Sequence, residues 1–159
     1  PFPPSFLPPS HLATLPPLHH LREEASEAWW GDMEPETIST TEAPAAIGPY
    51  SQATRVGDLV FCSGQIPLDP STMEVVDGGV EGQARQVLRN LGEVLKAAGC
   101  STTDVAKTTI FLTDMADFQV VNGIYGEFFG DHKPARATVA VAGLPLGVRV
   151  EIECVAHAG

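Results

Sequence analysis

The chain has 159 residues, enough for one domain with a self-sufficient hydrophobic core and some additional length. Its formal net charge is -11, and its basic residues form no cluster larger than the pair Lys133 and Arg136. Because nucleic-acid binding depends on clustered lysine and arginine, this composition argues against a nucleic-acid-binding protein.

The cysteines and the hydropathy pattern narrow the class of protein further. Cys62, Cys100 and Cys154 are an odd number and show no CxxC spacing, which favours free thiols in a reducing compartment over a disulfide framework or a metal site. Cys62 and Cys154 lie in apolar runs and are interpreted as small core residues. No uninterrupted apolar stretch approaches roughly 18 residues, the length of a membrane span. We therefore expect a soluble, cytoplasmic protein, with an organellar location left open.

The composition changes abruptly near residue 33. Residues 1–32 contain seven prolines, which block both helices and strand ladders, and are predicted to be disordered. Prolines interrupt the apolar stretch of a secretory signal, and Arg22 is the only basic residue that a transit peptide could use. We predict a domain at residues 33–159, preceded at residues 1–32 by a disordered proline-rich tail or a non-native extension.

The first half of the domain has the pattern of a β-hairpin followed by a helix. Residues 54–65 read as two strands joined by a turn at Gly57 and Asp58. Apolar residues then recur at three- and four-residue intervals over residues 80–98, which predicts an amphipathic helix. Gly99 follows this helix at the position where a left-handed residue ends it.

The second half predicts strands at residues 105–112, 137–141 and 148–155 and a second helix between them. This helix starts within residues 114–117 and ends at Gly130. The order ββαβαββ indicates an α+β fold, a layer in which two helices cover one face of a mixed sheet. Several strands are apolar on both faces, so we expect the uncovered face to pack against other subunits.

Arg136 and Glu151 are the strongest candidates for chemistry. Arg136 enters an apolar strand, where its guanidinium requires an anionic partner. That partner is either Glu151 or Glu153 in a static ion pair, or a substrate carboxylate held by parallel hydrogen bonds. Glu151 lies in the middle of a strand, where burial would raise its pKa and suit general acid/base catalysis. The alternative is a solvated strand face.

Three further polar residues have both a structural and a functional interpretation. Asn122 falls in the aromatic stripe of the second helix, where it either braces the helix against a loop or serves a pocket. Tyr50 is either a loop anchor or a pocket hydroxyl. Ser63 ends a strand with no histidine nearby in sequence, so we do not expect a nucleophile. His132 and His157 lie in polar surroundings and are predicted to be surface residues.

Seven segments, in order, resemble the motifs of the YjgF/RidA family. They span residues 41–156 and leave only the N-terminal tail unmatched. The segments are 43–52 (APAAIGPYSQ), 63–67 (SGQIP), 83–86 with Asn90 and Leu91, 105–109 (VAKTT), Asp117 and Phe118 with Val121, Asn122 and Tyr125, 133–138 (KPARAT), and 150–153 (VEIE).

The resemblance implies a chorismate-mutase-like fold assembled as a homotrimer, with the helices outside and pockets in clefts between subunits. It also implies a deaminase without a cofactor, which adds water to reactive 2-imino acids such as 2-iminobutanoate and 2-iminopropanoate and releases ammonia. Such imines escape from pyridoxal-phosphate enzymes, so the implied role is damage control. Arg136 would bind the substrate carboxylate, and Glu151 would position or activate the attacking water. The cleft would be lined by Tyr50, Ser63, Asn122 and Thr138.

Thr138 departs from the pattern of the family, since many active members have cysteine there. We expect this position to act through its backbone carbonyl, in which case threonine is a mild change; a required thiol would abolish activity. Three other functions remain alternatives: a non-enzymatic small-ligand sensor, a chaperone-like protein, and an endoribonuclease that inhibits translation. The acidic charge and the absence of catalytic histidines argue against the last of these. The preferred imine side chain depends on the geometry between subunits.

Overall fold

The computed structural model describes residues 34–159. The prediction of a disordered tail or non-native extension at residues 1–32 therefore lies outside the described residues. Within residues 34–159, no helix has both the length and the hydrophobicity that crossing a membrane requires.

The described residues form one six-stranded mixed sheet and two α-helices, which confirms the predicted α+β class. The sheet has the strand order β1-β2-β3-β6-β4-β5, in which β4 and β5 are parallel and every other pair is antiparallel. The strands are β1 (Glu36–Ile38), β2 (Ala53–Val56), β3 (Leu59–Gln65), β4 (Val105–Leu112), β5 (Ala135–Ala140) and β6 (Val150–His157), and the helices are α1 (Gly79–Ala97) and α2 (Phe118–Phe129).

The predicted element order ββαβαββ lacked the first strand. β1 has three residues and only Ile38 is buried, so no two-residue alternation marks it in the sequence. β5 begins at Ala135 rather than at residue 137, because the parallel ladder with β4 pairs Ala135 with Lys107. β6 likewise extends over Val150–His157, where strand pairing and not local composition sets the ends.

Local hydrogen bonds account for the end of α1 and for the start of α2. α1 ends in a Schellman motif: Gly99 has a φ of 75° and donates to the carbonyl of Lys96, and Cys100 donates to that of Leu95. The segment predicted to start the second helix is a 3₁₀ turn (Met115–Asp117), which Asp114 caps by accepting from the amide of Ala116. α2 follows this turn directly.

The core lies between the two helices and one face of the sheet. Along β6 the buried side chains of Val150, Ile152, Cys154 and Ala156 alternate with partly exposed ones, as the sequence predicts for a strand covered on one side. Cys62 and Cys154 are register partners within this core, and both are free thiols. The interpretation of these cysteines as small core residues is confirmed.

The opposite side of the sheet, here called the open face, is apolar and uncovered within the described residues. Leu59, Phe61 and Val139 expose 42%, 44% and 41% of their surface there. Phe61 pairs with Val155, and Val139 pairs with Phe111, so apolar residues occur on four strands of this face. An apolar patch of this kind is typical of a surface that another subunit covers.

Candidate active site

Glu151 lies on the open face, directly against Gly64 of the neighbouring strand. Cys62 pairs with Cys154 and Gln65 with Ile152, so two residues of β3, Ser63 and Gly64, span one position of β6. This β-bulge brings the backbone of Gly64 under the Glu151 side chain. A methyl group at Gly64 would lie 2.8 Å from Cδ of Glu151 and 3.0 Å from its Cγ. The glutamate therefore requires a glycine beside it.

The surroundings of Glu151 disfavour its ionised form. Burial raises the pKa of this half-buried carboxyl above its ordinary value, and the nearby charge of Glu153 raises the pKa further. No cation within residues 34–159 forms an ion pair with Glu151. A carboxylate with a raised pKa can accept a proton from water and return it within one reaction, which suits general acid/base catalysis.

Ser63 and Tyr50 both adjoin Gly64, the residue that the Glu151 side chain contacts. The Ser63 hydroxyl donates to the carbonyl of Ser51 over 2.6 Å, and the Ser63 amide donates to that of Gln52 over 3.0 Å. The half-exposed ring of Tyr50 lines a small cavity together with Gly64 and Gln65. The hydroxyl of Ser63 is thus committed to the backbone, in agreement with the expectation that it is not a nucleophile.

Gln52 holds the loop that carries Tyr50, a role that the sequence analysis did not assign. Its side-chain oxygen accepts from the amide of Thr40, and its amide nitrogen donates to the carbonyls of Thr40, Ala43 and Pro44. The residue is buried, so these bonds replace all the water that its amide group would otherwise bind. The only sequence signal was its place in the first family-like segment.

Arg136 lies on the other side of the sheet, over aromatic rings of α2. Its guanidinium carbon is 4.8 Å from the ring centroid of Tyr125 and 5.9 Å from that of Phe118. It forms no ion pair within residues 34–159, so a static pair with Glu151 or Glu153 is excluded there. Of the two predicted interpretations, a guanidinium available to a ligand carboxylate fits this geometry.

A cavity of about 430 Å³ adjoins Arg136. It is lined by Asn122, Tyr125, Phe129, His132 and Lys133 besides the arginine. Asn122 is half-buried and its side chain makes no hydrogen bond within the described part of the chain, so it does not brace α2 against a loop. The amide is available to a ligand in the cavity.

The prediction of His132 as a surface residue was wrong. Its ring is half-buried, and Nε2 lies 2.7 Å from the carbonyl oxygen of Val105. The histidine sits at the first turn after α2, and the chain folds back there onto β4, a contact that sequence context does not reveal. His157, at the end of β6, is exposed as predicted. Within residues 34–159, no three His, Cys, Asp or Glu side chains cluster as metal ligands would.

Thr138 lies two residues after Arg136, on the same face of β5. It pairs in register with Ile110, which is buried under the helices. Its hydroxyl oxygen is shielded from solvent and has no hydrogen-bond partner among the described residues. Leaving a buried hydroxyl without a partner costs free energy.

We expect Thr138→Val to raise the free energy of unfolding by about 1 kcal/mol, because valine keeps the shape and removes the unpaired hydroxyl. Activity should be retained if this position acts through its backbone. Urea unfolding and a turnover assay test both points. The contrasting control is Thr108→Val, since the Thr108 hydroxyl is bonded to Tyr125 Oη at 2.8 Å and its loss should destabilise the protein. Loss of activity in Thr138→Val would show that the hydroxyl serves the substrate.

The six predicted site residues fall into two clusters on opposite sides of one sheet. Arg136 is the register partner of Thr108, which is fully buried under α2, whereas Glu151 is the register partner of Phe111 on the open face. We call Tyr50, Ser63, Gly64 and Glu151 the glutamate cluster, and Asn122, Tyr125, Arg136 and Thr138 the arginine cluster. The β-sheet separates the two clusters within one protomer.

The chain is similar to proteins with assigned names and structures. A family model described as Endoribonuclease L-PSP matches residues 40–158. The 2-iminobutanoate/2-iminopropanoate deaminase of Mus musculus is 56% identical over 124 residues, which cover 78% of this chain and 92% of the mouse protein. The Reactive Intermediate Deaminase A, chloroplastic, of Arabidopsis thaliana is 49% identical over 141 residues, which cover 89% of this chain and 73% of the plant protein. The crystal structure of E. coli TdcF with bound serine is 44% identical, with a TM-score of 0.75, and the match covers 78% of this chain and 99% of that one.

Proposed function

This chain belongs to the YjgF/RidA family, which the Endoribonuclease L-PSP model describes, and we infer that it hydrolyses reactive 2-imino acids to 2-oxo acids and ammonia. Relatives at 49–56% identity are named as deaminases of 2-iminobutanoate and 2-iminopropanoate or of reactive intermediates. The chain is therefore a deaminase that acts on C=N bonds, with a damage-control role. The observation that carries the assignment is this identity along nearly the whole of the domain.

The two clusters supply the parts that this reaction needs. Arg136 binds the substrate carboxylate through parallel hydrogen bonds, and Tyr50, Ser63, Asn122 and Thr138 line the cleft. Glu151 accepts a proton from a water molecule as the water oxygen bonds to C2 of the imine, and it then gives this proton to the imine nitrogen. Glu151 next accepts the hydroxyl proton of the resulting carbinolamine and passes it to the amino nitrogen. The C–N bond breaks as the C=O bond forms, and ammonia leaves. An imine is already electrophilic, so orientation of one water and one carboxylate is sufficient without a metal or a cofactor.

The active site lies between subunits of a homotrimer. Arg136 and Glu151 are on opposite sides of one sheet, so a substrate can touch both only if they come from different protomers. The uncovered apolar residues of the open face support close packing of the sheets about a central axis, with the helices outside. Each of the three clefts then joins the arginine cluster of one subunit to the glutamate cluster of its neighbour.

The experiment that tests this function generates 2-iminobutanoate with a threonine dehydratase and follows the release of 2-oxobutanoate. Wild type should accelerate release, and native mass spectrometry should find three subunits. Arg136→Ala and Glu151→Ala should each be inactive alone. Reassembled as an equimolar mixture, they should regain about a quarter of wild-type activity, because one cleft in four pairs an intact arginine with an intact glutamate.

Two results would contradict the proposal in different ways. A folded wild-type oligomer that does not accelerate release would exclude the deaminase and favour the ligand-sensor or chaperone-like alternatives. Mixed oligomers, verified by mass, that stay inactive would place both residues in one subunit or show that another pair is catalytic. If neither variant alone accelerates the release of 2-oxobutanoate but the mixture does, the result supports both the deaminase function and the placement of the active site between subunits.

The remaining properties follow from the sequence and its relatives. We propose that residues 33–159 form the deaminase domain. We propose a cytoplasmic location; the plant relative is named as chloroplastic, so an organellar form is the alternative. We expect no nucleic-acid partner, since the net charge of -11 opposes phosphate binding, and a test for salt-sensitive RNA binding addresses the endoribonuclease alternative.

A further inference from the structure

We propose that Tyr125 is a positioning residue: its ring holds the Arg136 guanidinium in the orientation that receives the substrate carboxylate, and Thr108 fixes the ring. This inference rests on the proposed function, because it assigns Arg136 to the carboxylate. It adds a residue pair, Thr108 and Tyr125, that the reaction as described above does not use.

Arg136 needs such support because little else fixes its side chain. It lies on β5, the edge strand of the sheet, and is exposed. Within the described residues its guanidinium has no hydrogen bond and no ion pair. A free arginine side chain samples many rotamers, and fixing it on binding costs free energy that reduces affinity. The rings of Tyr125 and Phe118, at 4.8 Å and 5.9 Å, are the groups that hold it.

The Tyr125 ring is itself rigidly held. It is 7% exposed, and the ring of Phe129 packs against it with centroids 4.5 Å apart. Its hydroxyl is 2.8 Å from the hydroxyl of Thr108, which is fully buried on β4. Thr108 is also the register partner of Arg136 in the parallel ladder of β4 and β5. Three contacts thus fix the guanidinium relative to its own strand. They are the backbone ladder between β4 and β5, the hydrogen bond between the hydroxyls of Thr108 and Tyr125, and the contact between the Tyr125 ring and the guanidinium.

An aromatic ring suits this purpose better than an acidic side chain. A carboxylate would occupy the N–H donors of the guanidinium and compete with the substrate, whereas a ring attracts the cation through its face and leaves the donors free. Asp117, which directly precedes Phe118 in the chain, is bound by Arg149, which donates to it from Nε at 2.9 Å and from Nη2 at 2.6 Å. The arrangement therefore keeps Arg136 both oriented and unoccupied.

The test compares two substitutions of Tyr125 with a matched control. Tyr125→Leu removes the ring, and we expect KM for 2-iminobutanoate to rise about tenfold with a much smaller change in kcat. Tyr125→Phe keeps the ring, and we expect KM to stay within about threefold of wild type. Phe128→Leu is the control, because Phe128 belongs to the same helix but packs toward α1 and away from Arg136. It should lower stability without raising KM.

A second readout separates positioning from general damage to the fold. Binding of 2-oxobutanoate and of its uncharged amide is measured for each variant by calorimetry. Wild type should prefer the carboxylate, and Tyr125→Leu should lose most of that preference, since only the carboxylate depends on the oriented guanidinium. A purely structural defect lowers the active fraction for both ligands and leaves their ratio of dissociation constants unchanged.

The outcomes distinguish this proposal from the proposed function. If wild type turns over the imine and Arg136→Ala does not, but Tyr125→Leu retains wild-type KM and ligand ratio, the positioning role is wrong and the function stands. If wild type does not turn over the imine, the function fails, while the ligand ratio still tests the Tyr125 contact. If Tyr125→Leu does not fold, Phe118→Leu replaces it; we expect about a threefold rise in KM, and an unchanged KM and ratio would overturn the proposal.

Discussion

Arg136→Ala is expected to lower kcat/KM for 2-iminobutanoate by about 10²–10⁴-fold, because hydrogen bonds to a charged group contribute roughly 1.5–3 kcal/mol each and two are lost. The guanidinium has no ion-pair partner within the described residues, so its removal leaves no buried charge behind. The fold should therefore remain intact. Steady-state kinetics in the dehydratase-coupled assay measures the loss, and thermal unfolding verifies the fold.

Arg136→Lys is the matched control for this prediction. Lysine keeps the positive charge but lacks the planar pair of donors and the stacking face, so we expect an intermediate kcat/KM. If lysine restores full activity, charge alone serves the substrate and the ring contact with Tyr125 has no function. If Arg136→Ala is as active as wild type, the assignment of the carboxylate site is wrong.

Glu151→Gln is expected to lower kcat by about 10²–10⁴-fold with little change in KM, since it removes a general base and keeps the shape of the side chain. The shape matters because the side chain lies against the backbone of Gly64, where a larger or shifted group would clash. Single-turnover kinetics separates the chemical step from binding. A large rise in KM with unchanged kcat would instead make Glu151 a binding residue.

The pH dependence provides an independent check on this role. The pKa of Glu151 is raised by burial and by the charge of Glu153, and only the ionised carboxylate can act as the base. Activity should therefore fall on the acid side as the pH drops through this raised pKa. Glu153→Gln removes one cause of the shift, so the acid limb of kcat/KM should move to lower pH. If the acid limb of kcat/KM does not move in Glu153→Gln and is still present in Glu151→Gln, the titrating group is not Glu151.

The sequence by itself determined the class of fold and every helix and strand of the sheet except β1. Apolar residues at three- and four-residue spacing gave α1, and alternation gave β6, because these periods are local and reflect which face of an element is buried. Gly99 marked the end of α1 for a similarly local reason, the left-handed backbone of its cap. The ordered family-like segments also single out Arg136 and Glu151 as candidate site residues.

Local patterns did not reveal three features of the site. The ring contact between Tyr125 and Arg136 joins α2 to β5, the bulge at Gly64 joins β3 to β6, and His132 folds onto β4. Each is a contact between elements that are separate in sequence, and neither propensity nor spacing encodes such a contact. A glycine within a strand was the one available signal, since it often marks a bulge or a close approach.

Only the tertiary structure decided that the two main residues lie on opposite faces of the sheet. The sequence allowed Arg136 and Glu151 to form an ion pair, because alternation fixes faces within one strand but not between strands. Strand order and register set that relation: β4 lies between β5 and β6, with Thr108 beside Arg136 and Phe111 beside Glu151. Register depends on burial of the whole sheet against the helices. The separation of the two clusters is therefore a property of the folded chain, and it is the physical reason why we propose a site shared between subunits.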